Sequence, residues 1–316
     1  MKLIIQIPCF NEEESLPATL AALPRELSGV DVIEYLVIDD GSRDGTIEAA
    51  KRCGVRHVVS LTRNSGLAAA FIAGLDACLK LGADIIVNTD ADNQYHGADV
   101  EKIVKPILDG RADIVIGERP IDETEHFSWL KKKLQYLGSW VVRLASKTDI
   151  PDAPSGFRAI TREAAMKLNV VSEYTYTLET IIQAGRNNMT IISVPVRTNP
   201  VMRESRLFKS MWQYVKRSIF TILRIFIMYK PLAFFMTLGA CSFAAGFMIG
   251  LRFLIMMFFY DSGGHVQSLL LCVALILIGV QTMVLGLQAD LIAANRKILE
   301  DVQYRVRRLF YDKESS

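Results

Sequence analysis

Asp90 and Asp92 are two carboxylates one residue apart, set just behind the apolar run Ile85-Ile86-Val87 in the stretch DIIVNTDADNQYHG. Spaced i, i+2 at a strand end, both side chains can reach one hard cation such as Mg2+ or Mn2+. Gln94 continues the spacing and adds a carbonyl oxygen. Such a site leaves positions of the ion open for substrate phosphates. A calcium loop is the rival reading, because Asp90, Asp92, Gln94 and Glu101 fall at its first, third, fifth and twelfth positions. It fails at the sixth, where Tyr95 stands in place of the glycine the sharp turn needs. A solvated acidic turn is the bland alternative, and the strand directly ahead favours the metal. His96 reads as a solvated turn histidine before it reads as a ligand or base.

The common phosphate cradles are missing. No Gly-x-Gly-x-x-Gly follows the first strand, and no Gly-x-x-x-x-Gly-Lys-Ser/Thr occurs. A phosphorylated ligand would therefore be held by a cation and arginines. Two further polar clusters, IPCFNEE and VIDDGSRDGT, close apolar runs. Phe10 offers a stacking face, and Glu12 or Asp40 can accept from base N–H groups or ribose hydroxyls. Gly41 and Gly45 permit tight turns. Asp39 and Asp44 have a competing use in capping and turns, which is the favoured reading for Asp44.

These clusters need elements to position them. Leu3–Ile7, Ile33–Ile38, His57–Leu61, Ile85–Asn88, Ile114–Ile116 and Thr190–Val196 read as strands. Glu13–Leu27, Gly45–Cys53, Gly66–Leu81, Ala98–Leu108 and Phe127–Ala145 read as helices. The alternation predicts an α/β domain with a mainly parallel sheet flanked by helices, and ligands at the carboxyl ends of its strands. DIPDAPSGFR reads as a loop.

The composition splits the chain further. Residues 1–125 carry 12 Lys and Arg against 22 Asp and Glu, whereas residues 126–316 carry 24 against 12. An acidic front suits a cation and a basic back suits anions. Leu232–Leu251 and Ser268–Ala289 are both uncharged, and each is long enough to cross the ~30 Å of a bilayer core. With DSGGHVQ as the turn between them, they predict a transmembrane hairpin, with Arg252 snorkelling at the far headgroups. The turn has no Lys or Arg, while Arg203–Lys230 has seven and the tail carries Arg296, Lys297, Arg305, Arg307, Arg308 and Lys313. The positive-inside bias therefore puts both termini and the large domain in the cytoplasm. SMWQYVKRSIFTILRIFIMYKP reads as an interfacial amphipathic helix. The expected domains are 1–202, a basic juxtamembrane helix at 203–230, a hairpin at 231–290 (spans near 232–258 and 267–289) and a basic tail at 291–316. The five scattered cysteines support neither a disulfide framework nor a zinc site. The N-terminus does not read as a signal peptide, and no nucleic-acid partner is expected.

Taken in order, IPCFNEE, VIDDGSRDGT, RNSGLAAAFIAGL, DADNQ, GER, DAPSGFRAI and RESR resemble family-two glycosyltransferases of the GT-A fold. Within them the pattern is similar to the polyprenyl-phosphate glycosyltransferases, which include dolichyl-phosphate mannose synthase and bactoprenol glucosyltransferases. The resemblance spans about residues 1–210, and the hairpin resembles the two-span bactoprenol branch. It implies that Pro8, Phe10, Glu12, Asp40, Asp90 and Ala91 contact the nucleotide, and that Asp90, Asp92 and Gln94 hold Mg2+ or Mn2+ on the diphosphate. Arg119, Arg203, Ser205 and Arg206 would face the acceptor phosphate, with Asp92 and the three arginines as the catalytic set. Ser155, Gly156 and Phe157 would shape the sugar pocket, Phe157 being equally a core residue. Two departures stand out: QYHGAD lacks the proline often found after the glutamine, and Ser205-Arg206 replaces Ser-Lys, keeping charge.

The implied activity is metal-dependent, inverting transfer of a sugar from a nucleotide-sugar, UDP-hexose before GDP-mannose, to polyprenyl monophosphate. Implied partners are the lipid, the membrane, further copies of the chain as a tetramer, a flippase and a downstream transferase. The run Lys131-Lys132-Lys133 either meets lipid phosphate or is a solvated face. A processive polysaccharide synthase is the runner-up, although WQYVKR does not match the Gln-x-x-Arg-Trp signature. A non-catalytic, membrane-tethered protein binding nucleotide or divalent cation is the third reading.

Overall fold

A computed structural model describes residues 1–120, 148–170, 176–199, 227–260 and 266–314, with isolated positions 143, 146, 216, 220, 223 and 224. The expected Phe127–Ala145 helix (apart from Arg143), Lys131–Lys133, Arg203, Ser205, Arg206 and most of the juxtamembrane helix lie outside the described residues. The chain forms two units, one of Met1–Ile219 with Glu300–Ser316 and one of Phe220–Leu299.

In the first unit seven strands form one sheet: β1 (Lys2–Cys9), β2 (Val32–Asp39), β3 (His57–Ser60), β4 (Ile85–Asn88), β5 (Ile114–Glu118), β6 (Arg158–Thr161) and β7 (Ile191–Pro195). Their order is β3-β2-β1-β4-β6-β5-β7. Only β6 runs against the rest, pairing Asn88 with Arg158 on one side and Ile116 with Arg158 on the other. The parallel strands β1, β2, β4, β5 and β7 therefore all deliver their carboxyl ends to one edge, where the antiparallel β6 begins.

Helices cover both faces, which explains the continuous apolar runs of β1 and β4. On one face Leu3, Ile5, Ile7 and Cys9 pack with Leu16 and Leu20 of α1 (Leu16–Ala22) and with Val100, Ile103 and Val104 of α4 (Val100–Leu108). Helix α1 is shorter than the sequence suggests because Pro24 disfavours helical geometry at Leu23, whose ψ is 143°. Helix α2 (Thr46–Arg52) follows β2, and α3 (Leu67–Lys80) covers the opposite face. There Gly74 lets α3 close on the sheet: a Cβ at this position would lie 2.4 Å from Gln6 Oε1. Buried Gln6 donates to Asn88 Oδ1 at 2.9 Å, so the polar strand residue is satisfied. Helices α5 (Arg162–Lys167) and α6 (Thr177–Arg186) complete the described layers around β6.

The second unit contains α7 (Pro231–Tyr260) and most of α8 (Val266–Glu314). Both are long and apolar enough to cross a membrane, and large apolar side chains such as Phe247, Met248, Leu270 and Leu277 are exposed along them. The two helices meet through small residues. A Cβ at Gly239 would lie 2.7 Å from Gly279 O, one at Gly246 would lie 3.0 Å from Cys272 O, and Ser242 Oγ donates to Leu275 O at 3.0 Å. These glycines thus serve contact between the two helices of the hairpin.

Helix α8 does not stop where the apolar run ends. Its last turns, from Glu300 onward, belong to the first unit. Tyr304 Oη donates to Glu163 Oε1 at 2.5 Å, Arg307 donates to Leu168 O at 2.6 Å, and buried Tyr311 donates to Asp76 of α3. The basic tail is helical and partly built into the α/β unit.

Candidate active site

The loop after β4 carries the paired acids. Asp92 Oδ1 accepts from the Gln94 amide at 3.1 Å, an Asx turn that fixes this carboxylate one residue ahead of Asn93. Asn93 itself has φ 56°, a left-handed conformation that asparagine tolerates better than most residues. Asp90 is half-buried, and burial together with the charge of Asp92 raises its pKa well above the carboxylate range, against the pull of Arg119 and Arg158. Among the described residues no group of three or more His, Cys, Asp or Glu forms a metal cage. Two crowded carboxylates that lack a third fit a hard divalent cation whose remaining positions are filled by ligand oxygens and water.

Asp90 packs against Gly156 in the segment before β6. A Cβ there would lie 2.9 Å from both Asp90 carboxylate oxygens and 3.2 Å from Tyr176 Oη. The same segment is tied to the acidic loop by Tyr95, whose hydroxyl accepts from the Gly156 amide at 3.1 Å. The Tyr95 ring stacks on Phe157 with centroids 4.9 Å apart. Ser155, Gly156 and Phe157 are all buried, and Phe157 belongs to the hydrophobic core. Of the three residues expected at the sugar, Phe157 therefore takes the core alternative. Below them Arg158 is buried, giving Nε to Ser155 O at 2.8 Å and Nη2 to Ala153 O at 2.9 Å. Burial lowers its pKa to about 10, so it remains a cation at neutral pH.

Arg119 follows β5 at the same edge. Its Nε and Nη2 donate to Asp152 at 2.8 and 2.9 Å, and its backbone amide reaches the same carboxylate at 3.2 Å. Burial works against the Arg119 charge, but Tyr95 and Asp152 outweigh it. The Nη1 group has no hydrogen-bond partner among the described residues. Asp152 is absent from the residues singled out in the sequence, because only the fold brings it to Arg119.

The first two strand ends are stitched together. Asn11, at φ 55°, accepts from the Arg43 amide at 2.8 Å and gives its own amide to Ser42 Oγ at 2.9 Å. The Glu12 amide donates to Thr46 Oγ1 at 2.8 Å, and Ser15 Oγ donates to the Glu12 carboxylate at 2.5 Å. Asp40 accepts from the amides of Ser65 and Gly66 at 2.7 and 2.9 Å, so both oxygens anchor the loop entering α3. Asp44 takes its expected turn role. Burial opposes its charge, yet bonds from Thr46 and Glu13 hold its pKa below the usual range. Phe10 is exposed, while Pro8 is buried within β1 and Ala91 is buried with its carbonyl taken by Thr19 Oγ1 at 2.9 Å. His96 is half-buried and its Nδ1 lies 3.3 Å from Arg197 Nη2.

A mainly parallel sheet with an acidic loop, an arginine and polar turns on one edge is the GT-A architecture of glycosyltransferases. The chain belongs to glycosyl transferase family 2, which matches residues 4–168, and it is a glycosyltransferase. It is 30% identical over 207 residues to an undecaprenyl-phosphate mannosyltransferase of Micrococcus luteus, covering 62% of this chain and 83% of that one. It is also 30% identical over 216 residues to a UDP-N-acetylglucosamine–dolichyl-phosphate N-acetylglucosaminyltransferase of Methanococcus voltae, covering 61% and 83%. Among solved structures, glucosyl-3-phosphoglycerate synthase of Mycobacterium tuberculosis, in complex with Mn2+ and UDP, superposes with a TM-score of 0.56 at 18% identity over 72% of this chain and 78% of that one. At that identity the likeness concerns the fold.

Proposed function

We propose that this glycosyltransferase moves one sugar from a nucleotide-sugar to a polyprenyl monophosphate at the cytoplasmic face of a membrane, inverting the anomeric carbon. The observation that carries the reading is a crowded carboxylate pair and a clamped arginine on one sheet edge, in a chain that also contains two bilayer-length helices. Relatives named for undecaprenyl and dolichyl phosphate acceptors support the lipid substrate.

Asp90 and Asp92, with Gln94, would hold Mg2+ or Mn2+, which when bound neutralises charge on the departing diphosphate. Exposed Phe10 would stack on the base. Asp40, with its oxygens committed to Ser65 and Gly66, would serve the nucleotide by shaping that loop. Arg119 Nη1 would donate to an acceptor phosphate oxygen, its fork held in line by Asp152. Arg203, Ser205 and Arg206 are assigned to the same phosphate by resemblance. A phosphate monoester is largely ionised at neutral pH, its second pKa being about 6. The nucleophile therefore needs no strong general base, and His96, drawn to Arg197, is not required as one. UDP-hexose is the favoured donor, with GDP-mannose next. A tetramer is the favoured assembly, and a flippase and a second transferase would follow the product.

The test mixes purified full-length protein with polyprenyl phosphate, Mg2+ or Mn2+, and labelled UDP- and GDP-sugars, and counts label entering the organic phase. Transfer from one donor, abolished by chelator and by Asp92→Asn, is expected. Donors that all stay intact while nucleotide still binds would overturn the assignment of polyprenyl phosphate as the acceptor.

A further inference from the structure

The acidic loop, residues 90–99, has no regular structure until the single helical turn Gly97–Asp99. A segment without its own ladder keeps its shape only if outside groups satisfy its backbone. Most of those groups come from one short stretch just past β7. The His96 amide donates to Arg197 O at 3.2 Å, and Tyr95 forms an antiparallel bridge with Thr198. The Asn199 amide donates to Gln94 O at 2.8 Å, and its side-chain Nδ2 donates to Asn93 O at 2.9 Å and to Tyr95 O at 3.3 Å. Arg197 closes the far end of the loop with three donors, N, Nε and Nη2, on the Asp99 carboxylate, the shortest at 2.6 Å.

Among the described residues, Asn199 is the one side chain from outside the loop that bonds the backbone at Asn93 and Tyr95. Its amide holds the carbonyl of Asn93, the residue next to Asp92 and one with a left-handed backbone. Without that hold the 93–94 peptide loses its side-chain anchor at the Asn93 carbonyl, and the Gln94 amide that fixes Asp92 Oδ1 belongs to the same peptide. Resting on the donor reading proposed above, the geometry points to Asn199 as a positioning residue for the divalent-cation site. It acts behind the carboxylates by setting where Asp92 stands.

Groups behind metal ligands typically contribute 10- to 100-fold to metal affinity. The experiment titrates Mn2+ into full-length protein saturated with UDP, following free Mn2+ by electron paramagnetic resonance, and records the melting temperature of each sample without metal. Asn199→Ala removes the amide, and Asn199→Asp keeps its size while removing the donor. Both are expected to weaken Mn2+ binding by about tenfold and to leave metal-free folding cooperative. Two folded variants with wild-type Mn2+ affinity would overturn the proposal. So would two variants that fail to fold, because Asn199 would then hold the domain rather than the site. Wild-type protein that binds neither Mn2+ nor UDP would instead remove the donor reading and leave the Asn199 contacts without that role.

Discussion

Asp152 holds Arg119 in a two-pronged grip, 2.8 Å to Nε and 2.9 Å to Nη2, with the Asp152 side chain fully enclosed and that of Arg119 16% exposed. Removing one partner of a buried pair strands the other charge, at a cost of about 3–5 kcal/mol. Asp152→Ala is therefore expected to lower unfolding free energy by about 3 kcal/mol in urea titration. In the fraction that folds, KM for polyprenyl phosphate should rise while KM for the donor holds. An equal rise in both would argue against the assignment of Arg119 to the acceptor.

Gly156→Ala tests the seat of Asp90. The new methyl would sit 2.9 Å from both carboxylate oxygens, and Gly156 has no left-handed backbone that would add strain. Overpacking of this kind costs about 1–3 kcal/mol. The expected result is a folded protein with a modestly lower melting temperature and a clear loss of Mn2+ affinity and transfer. Unchanged Mn2+ binding would mean that Asp90 moves aside freely or does not hold the ion.

How much of this was legible in the sequence differs from residue to residue. The strand runs Leu3–Ile7, Ile33–Ile38 and Ile85–Asn88 were readable because burial between helices keeps them mostly apolar, interrupted only by Gln6 and Glu34 before Asn88, and polar turns close them. The acids at 90 and 92 were readable because their spacing is local. Strand β6 was hidden inside DAPSGFRAI: it is four residues long, follows a proline and a glycine, and begins with a buried arginine satisfied by the carbonyls of Ser155 and Ala153. Helix α6 was hidden because its buried face includes Glu179, Thr180 and Gln183, which break the apolar period. Asp152 and Asn199 owe their roles to partners 33 and 106 residues away, and no local spacing announces such pairs.

The pH dependence of stability should show Asp99. Its burial opposes ionisation, but Arg197 and Lys102 outweigh it and bring the pKa down to about 2. A carboxylate with a depressed folded pKa contributes stability above its unfolded value of about 3.9. That contribution disappears as pH falls through the folded pKa. Urea midpoints measured from pH 5 to about 2 should fall less steeply in Asp99→Asn than in wild type, from a lower starting value. Identical slopes would show that the ion pair does not persist in solution.

Tyr311 offers the last prediction, because it tests whether the end of α8 is structural in the first unit. Its ring is 4% exposed, its hydroxyl donates to Asp76, and its carbonyl lies 3.4 Å from Arg162 Nη2. Asp76 also pairs with Lys80 at 2.7 Å, so losing the hydroxyl leaves the carboxylate with a partner. Tyr311→Phe should therefore cost only about 1 kcal/mol, the net worth of one hydrogen bond. Tyr311→Ala also empties the buried ring site, and aromatic-to-alanine changes cost about 3–5 kcal/mol. If thermal unfolding of the α/β unit separates the two variants in this way, the tail stabilises the domain that carries the acidic loop. If both melt like wild type, the last turns of α8 are held only by their own helix.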